Sequence, residues 1–139
     1  MTEQEFSDLA FSLWNAVPER FKRQIENVAL LVEDEPSDLI RAEEGLAEGD
    51  TLLGLYQGVP RTLRGEGYGI GATVPDTITL YRLPILEAAE EEAKGESLKD
   101  AIARVTAETL WHEVGHYFGL GDEEIHEREE EGTNTFLGK

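Results

Sequence analysis

The residues able to do chemistry are concentrated in one stretch, Trp111-His112-Glu113-Val114-Gly115-His116-Tyr117-Phe118-Gly119-Leu120-Gly121-Asp122. It holds two of the chain's 3 histidines, four residues apart, with a glutamate directly after the first. On a helix, residues four apart lie on one face, one turn from each other. Two imidazoles so placed can reach one zinc ion at about 2.0–2.1 Å. Glu113 lies about 100° round the helix from His112. That puts it beside the ion, where a carboxylate can take a proton from zinc-bound water. A third ligand must come from beyond the helix. Gly119 permits a sharp turn, and Asp122 can then swing back to the metal. His126, Glu123 and Glu124 are alternatives, as is a site with no third protein ligand. Two histidines and one carboxylate leave an open coordination position, the pattern of a catalytic zinc, whereas structural zinc is closed by four protein ligands.

The platform for these groups is legible upstream. Ser97 and Asp100 cap a helix expected to run to about Phe118 and to break at Gly119 and Gly121. Leu98, Ile102, Val105 and Thr109 share a face with His112 and His116, while Ala107, Trp111, Val114 and Phe118 form a second apolar face. A helix apolar on two faces is largely buried, which suits a rigid metal platform. Gly115 inside it costs about 1 kcal/mol against alanine, which points to close approach by a neighbour.

Toward the N-terminus, Thr2 and Glu5 form a capping-box pattern ahead of a stripe of Phe6, Leu9, Ala10, Leu13 and Trp14. Pro18 is expected at the first position of a short second helix with Phe21 and Ile25 inward. Residues 28–32 read as a buried strand, and a polar loop punctuated by Gly45 and Gly49 leads to a second strand over 51–57. A third strand is expected over 77–83, with Ile78 and Leu80 on one face and Thr79 and Tyr81 on the other. Pro84 opens a helix running to Lys94, and a last short helix is expected over 122–130, followed by a loose tail, 132–139. Between the second and third strands, Gly67-Tyr68-Gly69-Ile70-Gly71-Ala72 has the loose form of a dinucleotide fingerprint. The fingerprint needs a helix after it, and here Val74-Pro75-Asp76 and a strand follow, so that reading fails. The whole is one α+β domain, 1–139, with about three strands.

Composition narrows the partners. With 12 Lys and Arg against 30 Asp and Glu, the formal net charge is -18. Such an acidic protein repels phosphate backbones and anionic membrane surfaces, so neither nucleic acid nor membrane is expected as a partner. Cationic partners and divalent metals fit the balance. Cys 0 removes disulfides, thiol catalysis and cysteine-based zinc sites. No apolar run approaches the roughly 20 residues needed to span a bilayer. The acidic start Met1-Thr2-Glu3-Gln4-Glu5 has no apolar signal core, so a cytoplasmic location is expected.

The pattern H-E-x-x-H-x-x-G-x-x-D, together with Pro75-Asp76-Thr77-Ile78-Thr79-Leu80-Tyr81-Arg82, resembles the small bacterial zincin-like metallopeptidase family. The resemblance implies a minimal zincin fold, with the metal helix packed under a mixed sheet. It implies zinc on His112, His116 and Asp122, with Glu113 as catalytic base, and hydrolysis of a peptide or protein substrate. It also implies an edge strand that binds extended substrate by backbone pairing, a role that falls on residues 77–83, with Thr79, Leu80 and Tyr81 as substrate-binding residues. The chain departs from larger zincins in having Asp122 where a third histidine stands, and its 1 methionine, Met1, leaves no methionine beneath the metal. Tyr68, Tyr81 and Tyr117 are the candidates by type for stabilising an oxyanion. A non-enzymatic zinc-binding or protein-interaction domain on the same fold is the alternative function, and an acidic adaptor without metal a third.

Overall fold

The structure, a computed structural model, describes residues 1–25, 27–58 and 75–119. In chain order its elements are helix α1 (Glu3–Asn15), helix α2 (Glu19–Lys22), strand β1 (Val28–Glu33), helix α3 (Asp38–Glu43), strand β2 (Gly54–Gln57), strand β3 (Asp76–Tyr81), helix α4 (Arg82–Glu92) and helix α5 (Leu98–Tyr117). This is the expected α+β class. The expected last helix, 122–130, and the tail, 132–139, lie outside the described residues, as does the glycine-rich stretch from Gly65 to Gly71.

Helix α1 starts as its sequence dictates. The Thr2 hydroxyl accepts from the Glu5 amide at 3.1 Å, and the Glu5 carboxylate accepts from the Thr2 amide at 2.9 Å. Two otherwise orphaned donors are satisfied reciprocally. Phe6 and Ala10 are fully buried, and Leu9, Leu13 and Trp14 pack against the same core. Pro18 caps α2 from just outside rather than opening it.

The sheet has the order β1-β3-β2. β1 runs parallel to β3, with Leu30 opposite Ile78, and β2 runs antiparallel to it, with Gly54 opposite Leu80. Residues paired across strands point to the same side. Leu80 and Ile78 therefore face α5 with Gly54 and Tyr56, and join Ile85, Val105, Leu110 and Val114 in the core.

Four further expectations are corrected. Residues 38–43 form a helix, not part of a loop, with the Ser37 hydroxyl accepting from the Ile40 amide at 3.2 Å. β2 begins only at Gly54, not residue 51. β3 ends at Tyr81, and α4 starts at Arg82, two residues before Pro84. A proline fits there because amides of the first turn have no intrahelical partner to lose. Arg82 is anchored by Asp34 at 2.8 Å and the Met1 carbonyl at 3.0 Å. Its guanidinium holds the Asp34 carboxyl below the usual carboxylate range.

The fourth correction bears on function. β3 is the central strand, its backbone paired on both sides, so it is not the edge strand that the resemblance implies. Thr79, Leu80 and Tyr81 are all buried, and the backbone that the resemblance offers to substrate is already paired with β1 and β2. The Tyr81 phenol is pushed up to about 12 by burial first, then by the negative charges of Glu33, Glu44 and Glu113. A central strand tolerates no missing ladder donor. Thr79→Pro should therefore abolish the cooperative thermal unfolding transition followed by circular dichroism, whereas an edge position would tolerate it.

No helix among the described residues is long and apolar enough to cross a membrane.

Candidate metal centre

Helix α5 carries the site. The Ser97 hydroxyl accepts from the Asp100 amide at 3.1 Å and caps its start. Its surface is buried nearly all round, from Ala101 to Tyr117. Leu98, on the first turn, departs from the expected inward face and is 46% exposed. The buried hydroxyls of Thr106 and Thr109 bond carbonyls one turn back, at Ile102 (2.6 Å) and Val105 (2.8 Å), so neither is left without a partner.

The last turns are clamped by aromatic packing. Trp111 meets Phe21 edge-on with ring centroids 5.3 Å apart, and Tyr117 meets Tyr56 at 6.2 Å. The Tyr117 hydroxyl donates to the Gln24 carbonyl at 3.1 Å. The Tyr56 hydroxyl donates to the buried Asp76 carboxylate at 2.5 Å, which ties the start of β3 to β2 under the end of α5. Helix and sheet thus hold the site from two directions.

On that platform His112 and His116 lie half-buried side by side, with ring centroids 4.9 Å apart and planes at 79°. Glu113 is 7% exposed. One ligating atom from each of His112, Glu113 and His116 lies within 4.8 Å of the other two. The two imidazoles fit a zinc ion as donors, and the Glu113 carboxylate lies close enough to stand beside it. The C-terminal end of the helix adds partial negative charge where a cation would sit. The expected convergence of these three residues is therefore what the fold produces.

Past the helix, Gly119 adopts φ +83° and its amide bonds the His116 carbonyl at 2.9 Å, the sharp turn that its residue type predicts. The candidates for a third ligand, Asp122, Glu123, Glu124 and His126, lie outside the described residues. Of the oxyanion candidates, Tyr68 lies outside them too. Tyr117 spends its hydroxyl on Gln24, and Tyr81 is buried at the end of β3, where the Glu113 charge is among those acting on its phenol.

One residue beside the site escaped the sequence reading. Gly54 brings the backbone of β2 against Thr109 and Glu113, so close that a Cβ there would lie 2.8 Å from Thr109 Cγ2 and 3.4 Å from Glu113 Cγ. A glycine inside a strand pattern is the signal that could have found it, since it marks close approach of another element. Gly115, which carried that expectation, is buried in α5.

A family model described as zincin-like metallopeptidase matches residues 25–132. Among solved structures, the chain is similar to a conserved hypothetical protein from Thermo thermophilus, at 27% identity and a TM-score of 0.47, over 91% of this chain and 99% of that one. No curated protein matches.

Proposed function

This chain belongs to the zincin-like metallopeptidase family, and on that premise we propose that it is a zinc-dependent peptidase that hydrolyses peptide bonds in a peptide or protein substrate. The observation that carries the reading is the convergence of His112, Glu113 and His116 at the end of α5, directly against strand β2. His112, His116 and Asp122 hold the metal. When bound, zinc polarises the scissile carbonyl and acidifies the attacking water. Glu113 accepts the proton of that water on its carboxylate and returns it to the leaving amine. Its position one residue along the helix from His112 keeps it beside the imidazoles while its burial shields the proton transfer from bulk solvent.

Substrate pairing falls to β2. Among the described residues its outer edge carries no partner strand, and it lies against the base. An extended peptide laid along that edge gains main-chain hydrogen bonds and is presented to Glu113. Zinc-loaded protein should cleave members of a mixed-sequence fluorogenic peptide library. A chelator should stop cleavage and added zinc restore it. Absence of cleavage across the library, with zinc bound, overturns the hydrolytic reading in favour of a zinc-binding interaction domain.

The third ligand has its own test. Gly119 takes a left-handed turn, φ +83°, directly after α5, and on the proposed reading the carboxylate that follows it at Asp122 is the ligand. Asp122→Ala should therefore weaken zinc binding more than His126→Ala in parallel calorimetric titrations. The reverse ranking would move the ligand to His126, and two negligible effects would describe a two-histidine site.

A further inference from the structure

Gly54 opens β2 opposite Leu80. Its φ is not among the positive values of the chain, so backbone freedom does not explain a glycine there. Glycine is also a poor choice inside a strand, where it loses more conformational entropy than residues with side chains and has nothing to pack. What the position lacks is space. A Cβ would meet Thr109 Cγ2 at 2.8 Å, the Thr79 carbonyl at 3.2 Å and Glu113 Cγ at 3.4 Å. Thr109 and Glu113 are one turn apart on α5 and flank the position of His112.

We propose that Gly54 is a positioning residue for the reaction: it sets the separation between the strand edge that takes the peptide and the carboxylate of Glu113. This rests on the hydrolytic reading above. A general base must come within roughly 2.6–3.2 Å of the proton it takes. A misplacement of about 1 Å from a change away from the chemistry can cost about 100-fold. An added methyl at position 54 cannot be absorbed locally. The Thr109 side chain is buried and held by its bond to the Val105 carbonyl, and the Thr79 carbonyl belongs to the central strand. β2 must therefore lift away from α5. His112 and His116 ride on α5 itself, so the metal ligands stay in place while the peptide edge moves off the base.

The test uses Gly54→Ala and the double variant Gly54→Ala/Thr109→Ser, which removes the clashing Cγ2 and keeps the hydroxyl. Both are titrated with zinc and, once loaded, with a peptide hydroxamate, whose chelating end takes the metal and whose peptide part takes the strand edge. Turnover of the fluorogenic library is read beside them. Gly54→Ala should keep zinc affinity within about threefold of wild type, lose about 10–100-fold in turnover, mostly in kcat, and weaken hydroxamate binding at least tenfold. The double variant should recover hydroxamate affinity to within about threefold, since only a steric fit is restored. Equal hydroxamate affinity in Gly54→Ala and wild type overturns the role of Gly54 and leaves the hydrolytic reading standing. Hydroxamate binding by wild type without turnover overturns the hydrolytic reading alone, and the hydroxamate arm still decides Gly54. Should Gly54→Ala fail to fold, the double variant decides: folded with wild-type hydroxamate affinity it supports the role, and folded with affinity lost it overturns it.

Discussion

His112→Ala/His116→Ala should bind no zinc in a calorimetric titration that saturates the wild-type protein. Both donors sit on one buried, capped helix, and their ligating atoms meet within 4.8 Å of each other and of Glu113. Removing a residue that only orients a ligand commonly costs 10–100-fold in metal affinity, roughly. Loss of two ligands must exceed that. The imidazoles are half-buried and face the site rather than the apolar core, so the metal-free variant should melt close to metal-free wild type. The sign with pH also follows. Zinc takes neutral imidazole, so wild-type affinity should fall as pH drops and the ligands compete with protons. Retention of wild-type affinity by the double variant would move the metal elsewhere.

Glu113→Gln should separate binding from chemistry. Glutamine keeps the shape that packs against Gly54 at the buried helix surface but cannot accept the proton of the attacking water. Zinc affinity should stay within about threefold of wild type because both imidazoles remain. Turnover of the peptide library should fall by roughly 10²–10⁴, the usual contribution of a positioned general base. Unchanged turnover would assign the proton transfer to another group or the activity to a contaminant.

The site was legible in the sequence because its information is local. Spacing four on a helix puts His112 and His116 on one face whatever the rest of the chain does, and the caps at Thr2 and Ser97 are satisfied by amides three residues away. What escaped depends on partners distant in the chain or on elements too short to show a period. β3 reads the same at the edge or in the centre of a sheet until its neighbours are known, and those neighbours are Val28–Glu33 and Gly54–Gln57. Helix α3 spans 6 residues, under two turns, too few for an apolar stripe, and only Ser37 announces it. Gly54 is defined by what it nearly touches on α5, some 55 residues later in the chain.

The outer edge of β2, which carries no partner strand among the described residues, would be as open to another copy of the chain as to the proposed peptide. Unpaired amides and carbonyls along a strand are a template for sheet-to-sheet growth, and natural proteins blunt such edges. Two devices do so here. β2 is only 4 residues long, so a second copy docking edge to edge would gain a short ladder and little cooperativity. Each copy also carries a formal net charge of -18, so any stack of chains works against its own repulsion. A neutral or basic peptide meets no such barrier. On the proposed reading, the net charge of -18 would favour a neutral or basic peptide over a second copy of the chain at that edge.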